Sequence, residues 1–132
     1  MGVLAETSAW VRFIRNGRRG EAAALVGLLR RRDVLTCGPV IGELLSSRSL
    51  AGNTILAVAL RQLTWVELGE PDWTRAGEVR RLLAQRGTTT ALLDVSMAVA
   101  AEKAGAELWT FDSDFQRVTE VMPALRLYQP PA

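Results

Sequence analysis

Histidine is missing altogether from these 132 residues, and cysteine and lysine occur once each, as Cys37 and Lys103. The first absence excludes a Ser-His-Asp triad, a Cys-His nucleophile pair and a zinc site built on histidine. A lone cysteine cannot close an intramolecular disulfide, which suits a reducing compartment. No stretch matches GxxxxGK or GxGxxG, so the usual loops that cradle nucleotide phosphates are lacking. No apolar run reaches the ~18 residues that cross a bilayer, and the longest is interrupted by Asp94. The N-terminus has neither the basic nor the long apolar region of a signal peptide. These exclusions lead to the expectation of a soluble, cytoplasmic domain whose chemistry rests on carboxylates.

What is present fits one domain spanning residues 1–132, with 48% apolar residues and a net charge of +2. The positive charge is almost all arginine. Arg12, Arg15, Arg18, Arg19, Arg30, Arg31 and Arg32 fall in the first 32 residues. Arginine forks suit phosphate oxygens, while a solvated helix face accounts for the same clustering.

The pattern alternates between strands and helices. "GVLAE" reads as a short buried strand, "DVLTC" and "AELWTF" as further short strands, "TWVEL" as extended and "ALRLY" as a last strand. "TSAWVRFIRN" reads as a helix with Thr7 or Ser8 as its cap, and "EAAALVGLLRRR" as a second. "GPVIGELLSS" places Pro39 at a first helical position and Glu43 about one turn inside. "NTILAVALRQL" is helical, as is "PDWTRAGEVRRLLAQRG" with Asp72 as cap. "TTTALLDVSMAVAAEKAG" runs from a threonine cap to Gly105 as a nearly all-apolar helix. Strands separated by helices imply right-handed crossovers and a mostly parallel sheet. Trp10, Trp65, Trp73, Trp109 and Met97 read as core.

In such sheets ligands bind beyond the carboxyl ends of the strands. Four acids in apolar settings point there: Glu6 in "VLAETSAWV", Glu43 in "PVIGELL", Asp94 in "ALLDVSMAVAA" and Asp112 in "LWTFDSDF". Taken singly, each has a plainer account. Asp112 caps a turn, Glu43 faces water, and Glu6 ends a strand. Asp94 is harder to place, since Ala91, Leu93, Val95, Met97 and Ala98 surround it in sequence. Gathered on one rim, the four carboxylates would raise one another's pKa values. A hard divalent cation with oxygen ligands, Mg²⁺ or Mn²⁺, is the economical way to keep them ionised.

The motifs "VLAETSAWV", "PVIGELLSS" and "TTTALLDVSMAVAAEKAGAELWTFDSDF", in that order and spacing, resemble the PIN-domain ribonucleases, and most closely the VapC toxins of toxin–antitoxin pairs. The resemblance covers nearly the whole chain. It implies a PIN-like three-layer α/β/α fold with a central sheet of about four to five short strands. It also implies catalytic acids at Glu6, Glu43, Asp94 and Asp112, with Glu6, Asp94, Asp112 and Asp114 binding metal. Thr7 and Thr110 match hydroxyl positions that orient those carboxylates. The implied reaction is Mg²⁺- or Mn²⁺-assisted hydrolysis of phosphodiesters in transfer or ribosomal RNA, with water as nucleophile. Arg15, Arg18 and Arg19 would reach the RNA backbone. The implied partners are a VapB-type antitoxin, which lays a basic residue into the acidic pocket, and a second copy in a homodimer.

One departure stands out. Where the family favours Asp, this chain has Glu6, longer by one methylene. A carboxylate displaced by roughly 1 Å can cost on the order of 10²-fold in rate. A catalytically weakened PIN-like domain that acts by binding its antitoxin or RNA is therefore the rival reading. A third class, phosphoryl transfer to aspartate as in receiver and haloacid dehalogenase-like proteins, needs a lysine downstream of the acidic pair. Lys103 precedes "FDSDF".

Overall fold

The computed structural model of the chain describes residues 2–47 and 54–131, the side chains of Arg18, Thr54 and Ile55 excepted. Among the described residues five short strands form one sheet: β1 (Val3–Ala5), β2 (Val34–Thr36), β3 (Thr64–Trp65), β4 (Glu107–Trp109) and β5 (Arg126–Leu127). Their order is β3-β2-β1-β4-β5, and every neighbouring pair is parallel. The expectation of a mostly parallel sheet is thus met by a wholly parallel one. Leu4 sits opposite Leu35 on one side and Leu108 on the other. All three residues of central β1 are buried, whereas both residues of edge strand β3 are exposed.

Seven α-helices among the described residues make the crossovers. They are α1 (Thr7–Asn16), α2 (Leu25–Arg30), α3 (Gly38–Ser46), α4 (Thr54–Arg61), α5 (Glu70–Gln85), α6 (Leu92–Ala104) and α7 (Phe115–Val121). Parallel strands need such crossovers, and the helices cover the sheet in a three-layer α/β/α arrangement. The start of α4 expected at Asn53 lies outside the described residues.

Strands of two or three residues contribute few ladder bonds, so packing carries the fold. Helix α6 supplies most of it, because Val95 to Ala101 are buried without a break. A helix that is apolar all round belongs inside a core. Its alanines let α3, α5 and β4 approach closely. The one polar member of that run, Ser96, donates its hydroxyl to the Leu93 carbonyl at 2.6 Å. The helix stops at Gly105, which is left-handed at φ 66°, as sequence suggests.

Local caps depart from the sequence reading. Glu6, not Thr7 or Ser8, takes the N-cap position of α1, because the hydroxyls of both are drawn to carboxylates instead. Asp72 sits three residues inside α5. There its carboxylate accepts the Gly69 backbone N–H at 2.8 Å and the Lys103 ammonium at 2.8 Å. Ala91 rather than a threonine precedes α6. Pro39 is the second residue of α3, and Glu43 lies in its second turn. Only the middle of "EAAALVGLLRRR", Leu25–Arg30, is helical, with turns at residues 21–24 and 31–32. Trp10 and Trp109 are core, but Trp65 and Trp73 are exposed, at 37% and 39%. Trp65 lies on the short edge strand and Trp73 in the first turn of α5, places where the apolar pattern does not ensure cover.

Candidate active site

The carboxyl end of β1 turns directly into α1 at Glu6, and this junction builds the centre of the site. The Glu6 backbone N–H still pairs with the Trp109 carbonyl of β4 at 2.9 Å. Its own carbonyl accepts the first helical N–H groups, from Ala9 and Trp10. The side chain is therefore held between two central strands and is only 5% exposed.

Glu43 comes from α3 and Asp94 from the first turn of α6. Each of Glu6, Glu43 and Asp94 offers an oxygen, and the three oxygens lie within 4.8 Å of one another. Three like charges at that spacing disfavour full ionisation. The Asp94 carboxyl is accordingly pushed up to about 6, chiefly by burial, then by Glu43, Glu6, Asp112 and Asp114 in turn.

Hydroxyls lock this group in place. Thr7 donates to Glu43 Oε1 at 2.6 Å. Ser8 and Thr110 both donate to Glu6 Oε1, at 2.5 and 2.6 Å. Ser8 Oγ accepts the Phe111 backbone N–H at 2.8 Å, and Thr110 Oγ1 accepts that of Asp112 at 3.0 Å. Each of these two hydroxyls thus ties Glu6 to the loop after β4. Sequence reasoning names Thr7 and Thr110 beside the acids but gives Ser8 only a capping role. Its position two residues after Glu6, at the start of a helix, is the signal that could have found it.

Asp112 and Asp114 are exposed and lie outside the three-carboxylate group, although their charge reaches Asp94. Asp112 Oδ1 accepts the Asp114 N–H at 2.9 Å, so the pair shapes the turn that leads into α7. The acids open into a cavity of about 580 Å³ whose other wall is α1, with Val11, Arg12, Arg15 and Asn16. Arg12 pairs with Glu21 and stacks 4.4 Å above the Phe111 ring. Arg19 is not among the cavity residues, and the Arg18 side chain lies outside the described residues. The result is an acidic floor under a wall that carries two arginines. That combination suits a phosphodiester held next to a cation.

Residues 3–121 match the family profile of the PIN domain. Over 122 residues the chain is 30% identical to Ribonuclease VapC18 of Mycobacterium tuberculosis, covering 88% of this chain and 86% of that protein. The chain is a PIN domain of the VapC family. Among solved structures, this PIN domain is similar to VapBC2 from Rickettsia felis bound to a DNA fragment from their promoter. The TM-score is 0.76 and the identity 23%, over 97% of this chain and 98% of that one. It is also similar to Mycobacterium tuberculosis VapC20, a sarcin-ricin loop cleaving toxin, with a TM-score of 0.68 and 22% identity over 87% and 93% of the two chains. At those identities the likeness is one of fold. No helix of the described residues is long and apolar enough to cross a membrane.

Proposed function

We propose that this PIN domain is the toxin of a toxin–antitoxin pair, an endoribonuclease that cuts structured transfer or ribosomal RNA with a Mg²⁺ or Mn²⁺ ion. The convergence of Glu6, Glu43 and Asp94 within 4.8 Å carries the reading. Only oxygens are offered, which fits a hard divalent cation rather than a thiophilic one. Burial and mutual repulsion together raise Asp94, and such a charge offsets both. When bound, the ion supplies an acidified water and positive charge for phosphodiester hydrolysis.

The protein's own groups do the positioning. Glu6, Glu43 and Asp94 hold the ion, and Asp112 with Asp114 extends the acidic rim toward solvent. Thr7, Ser8 and Thr110 fix which carboxylate oxygens are spoken for. Both described hydrogen bonds to the Glu6 side chain fall on Oε1, which leaves its other oxygen for a ligand. Arg12 and Arg15 face the RNA phosphates from α1. The same acidic cavity accepts a basic residue of a VapB-type antitoxin, and two copies pair as a homodimer.

A second reading follows from Glu6, whose extra methylene stands where the family favours aspartate: a weakened enzyme that works by binding its antitoxin or RNA. Purified protein incubated with transfer RNA and Mn²⁺ separates the two. Cleavage is expected, with EDTA stopping it and Asp94→Asn slowing it by about 10²-fold or more. Cleavage that persists in EDTA overturns the metal-assisted mechanism. RNA or antitoxin binding without cleavage favours the second reading, most clearly if Glu6→Asp then raises the rate on the order of 10²-fold.

A further inference from the structure

Between α5 and the segment that leads into α6 lies a second cavity, a groove of about 530 Å³ lined in part by Gly77, Arg80, Arg81, Thr88, Thr89 and Leu92. No acidic side chain lines it among the described residues. Arg81 is exposed and makes no ion pair or hydrogen bond among those residues. Arg80 donates Nε to the Thr90 carbonyl at 2.8 Å, which fixes the guanidinium and leaves its terminal nitrogens for a ligand. From α7, Arg117 reaches Thr88 Oγ1 at 3.3 Å and adds a third positive charge at the same loop. Uncompensated, oriented guanidinium groups beside threonine hydroxyls are the donor set of a phosphate site.

Gly77 is an independent pointer. It lies in the interior of the 16-residue α5, three and four positions before Arg80 and Arg81 and so on their face. A Cβ added there would meet nothing within 4 Å, and its backbone is not left-handed. Neither packing nor conformation calls for glycine, although glycine is a poor helix former. Its effect is to leave the groove floor open beside the two arginines.

We infer that this groove binds the phosphodiester backbone of RNA flanking the cleavage site. The inference rests on the nuclease reading above. Thr90, which lines the groove, and Asp94 are four residues apart, so their Cα atoms lie within roughly 14 Å of each other. A strand advancing ~3.4 Å per nucleotide covers that span in about four nucleotides. The contact reads phosphate and not base, so it favours long structured RNA over short fragments.

The test measures binding of fluorescein-labelled transfer RNA by anisotropy between 50 and 300 mM KCl, in an Asp94→Asn background that keeps the RNA intact. Arg81→Gln is expected to weaken binding and to flatten the slope of log affinity against log salt by roughly 0.7–0.9, with the melting temperature unchanged. Gly77→Ala is expected to move two quantities in opposite directions. The melting temperature rises by a few degrees because alanine is the better helix former, while RNA affinity falls because the methyl group enters the groove. With Asp94 restored, Arg81→Gln raises KM for transfer RNA and leaves kcat, and the cleavage of a trinucleotide, as in the parent. Parental affinity and salt slope in both variants overturn the inference. So does a changed oligomeric state of Arg81→Gln with RNA affinity kept, since the face is then a protein interface. Failure of the parent to cleave any RNA sinks the nuclease reading instead, and the binding data separate that outcome from this one.

Discussion

Asp94 is where burial and repulsion meet most directly. Its carboxyl sits at about 6 rather than 3.8 because the folded protein desolvates it and surrounds it with acids. In the metal-free protein the neutral form is therefore favoured by folding. That contribution to stability is fully present below about pH 3.8 and is lost as pH rises toward 6. A cation has to displace the same proton. Mn²⁺ affinity is expected to fall below about pH 6, by up to about tenfold per unit, and to level off above it. Titration calorimetry at pH 5, 6 and 7.5 checks this, and equal affinities at all three would refute it. Cys37 shows the same burial effect. Its thiol is pushed up to about 11, so it stays protonated and plays no nucleophilic part.

Among the elements, α6 ties the site to the core, since one face presents Asp94 while the buried run behind it is packed on all sides. Ala98 is 0% exposed, so Ala98→Leu has no room and is expected to destabilise by about 1–3 kcal/mol, read from urea denaturation. A loss below about 0.5 kcal/mol would mean that this helix packs loosely. The same helix shows why much of the site is legible in sequence. An aspartate set into an otherwise mostly apolar stretch contradicts its neighbours, and such a conflict marks function. Strand positions were readable for a similar reason, because short apolar runs bounded by turn residues have few other uses. Caps were not. Thr7 and Ser8 carry the right chemistry for capping, yet their hydroxyls found carboxylates in the folded chain, and Asp72 caps α5 from its third residue rather than from before it. Asp112 and Asp94 both stand out in sequence, Asp94 the more so. Only the three-dimensional arrangement sets one at the rim and the other in the close group, because no local rule measures the turn between β4 and α7.

For the molecule as a whole, the site is a meeting point of β1, α3, α6 and the loop after β4, so ligand binding and folding are linked. Mn²⁺ at about a hundred times its dissociation constant is expected to stabilise the folded state by about 2.7 kcal/mol. Scanning calorimetry would register this as a rise of several degrees in melting temperature, with most of it lost in Asp94→Asn. No shift with millimolar Mn²⁺ would show that the carboxylates do not take up the ion.

The sheet order carries one more consequence. β1 precedes the other described strands, yet it lies in the middle, and its neighbour β4 comes from residues 107–109. Until that late segment leaves the ribosome, nothing anchors Glu6 from the far side, for Trp109 and Thr110 are still missing. In a fragment that stops short of residue 109, Glu6 lacks both of those partners. The geometry therefore postpones assembly of the carboxylate centre until residues 107–110 have been made.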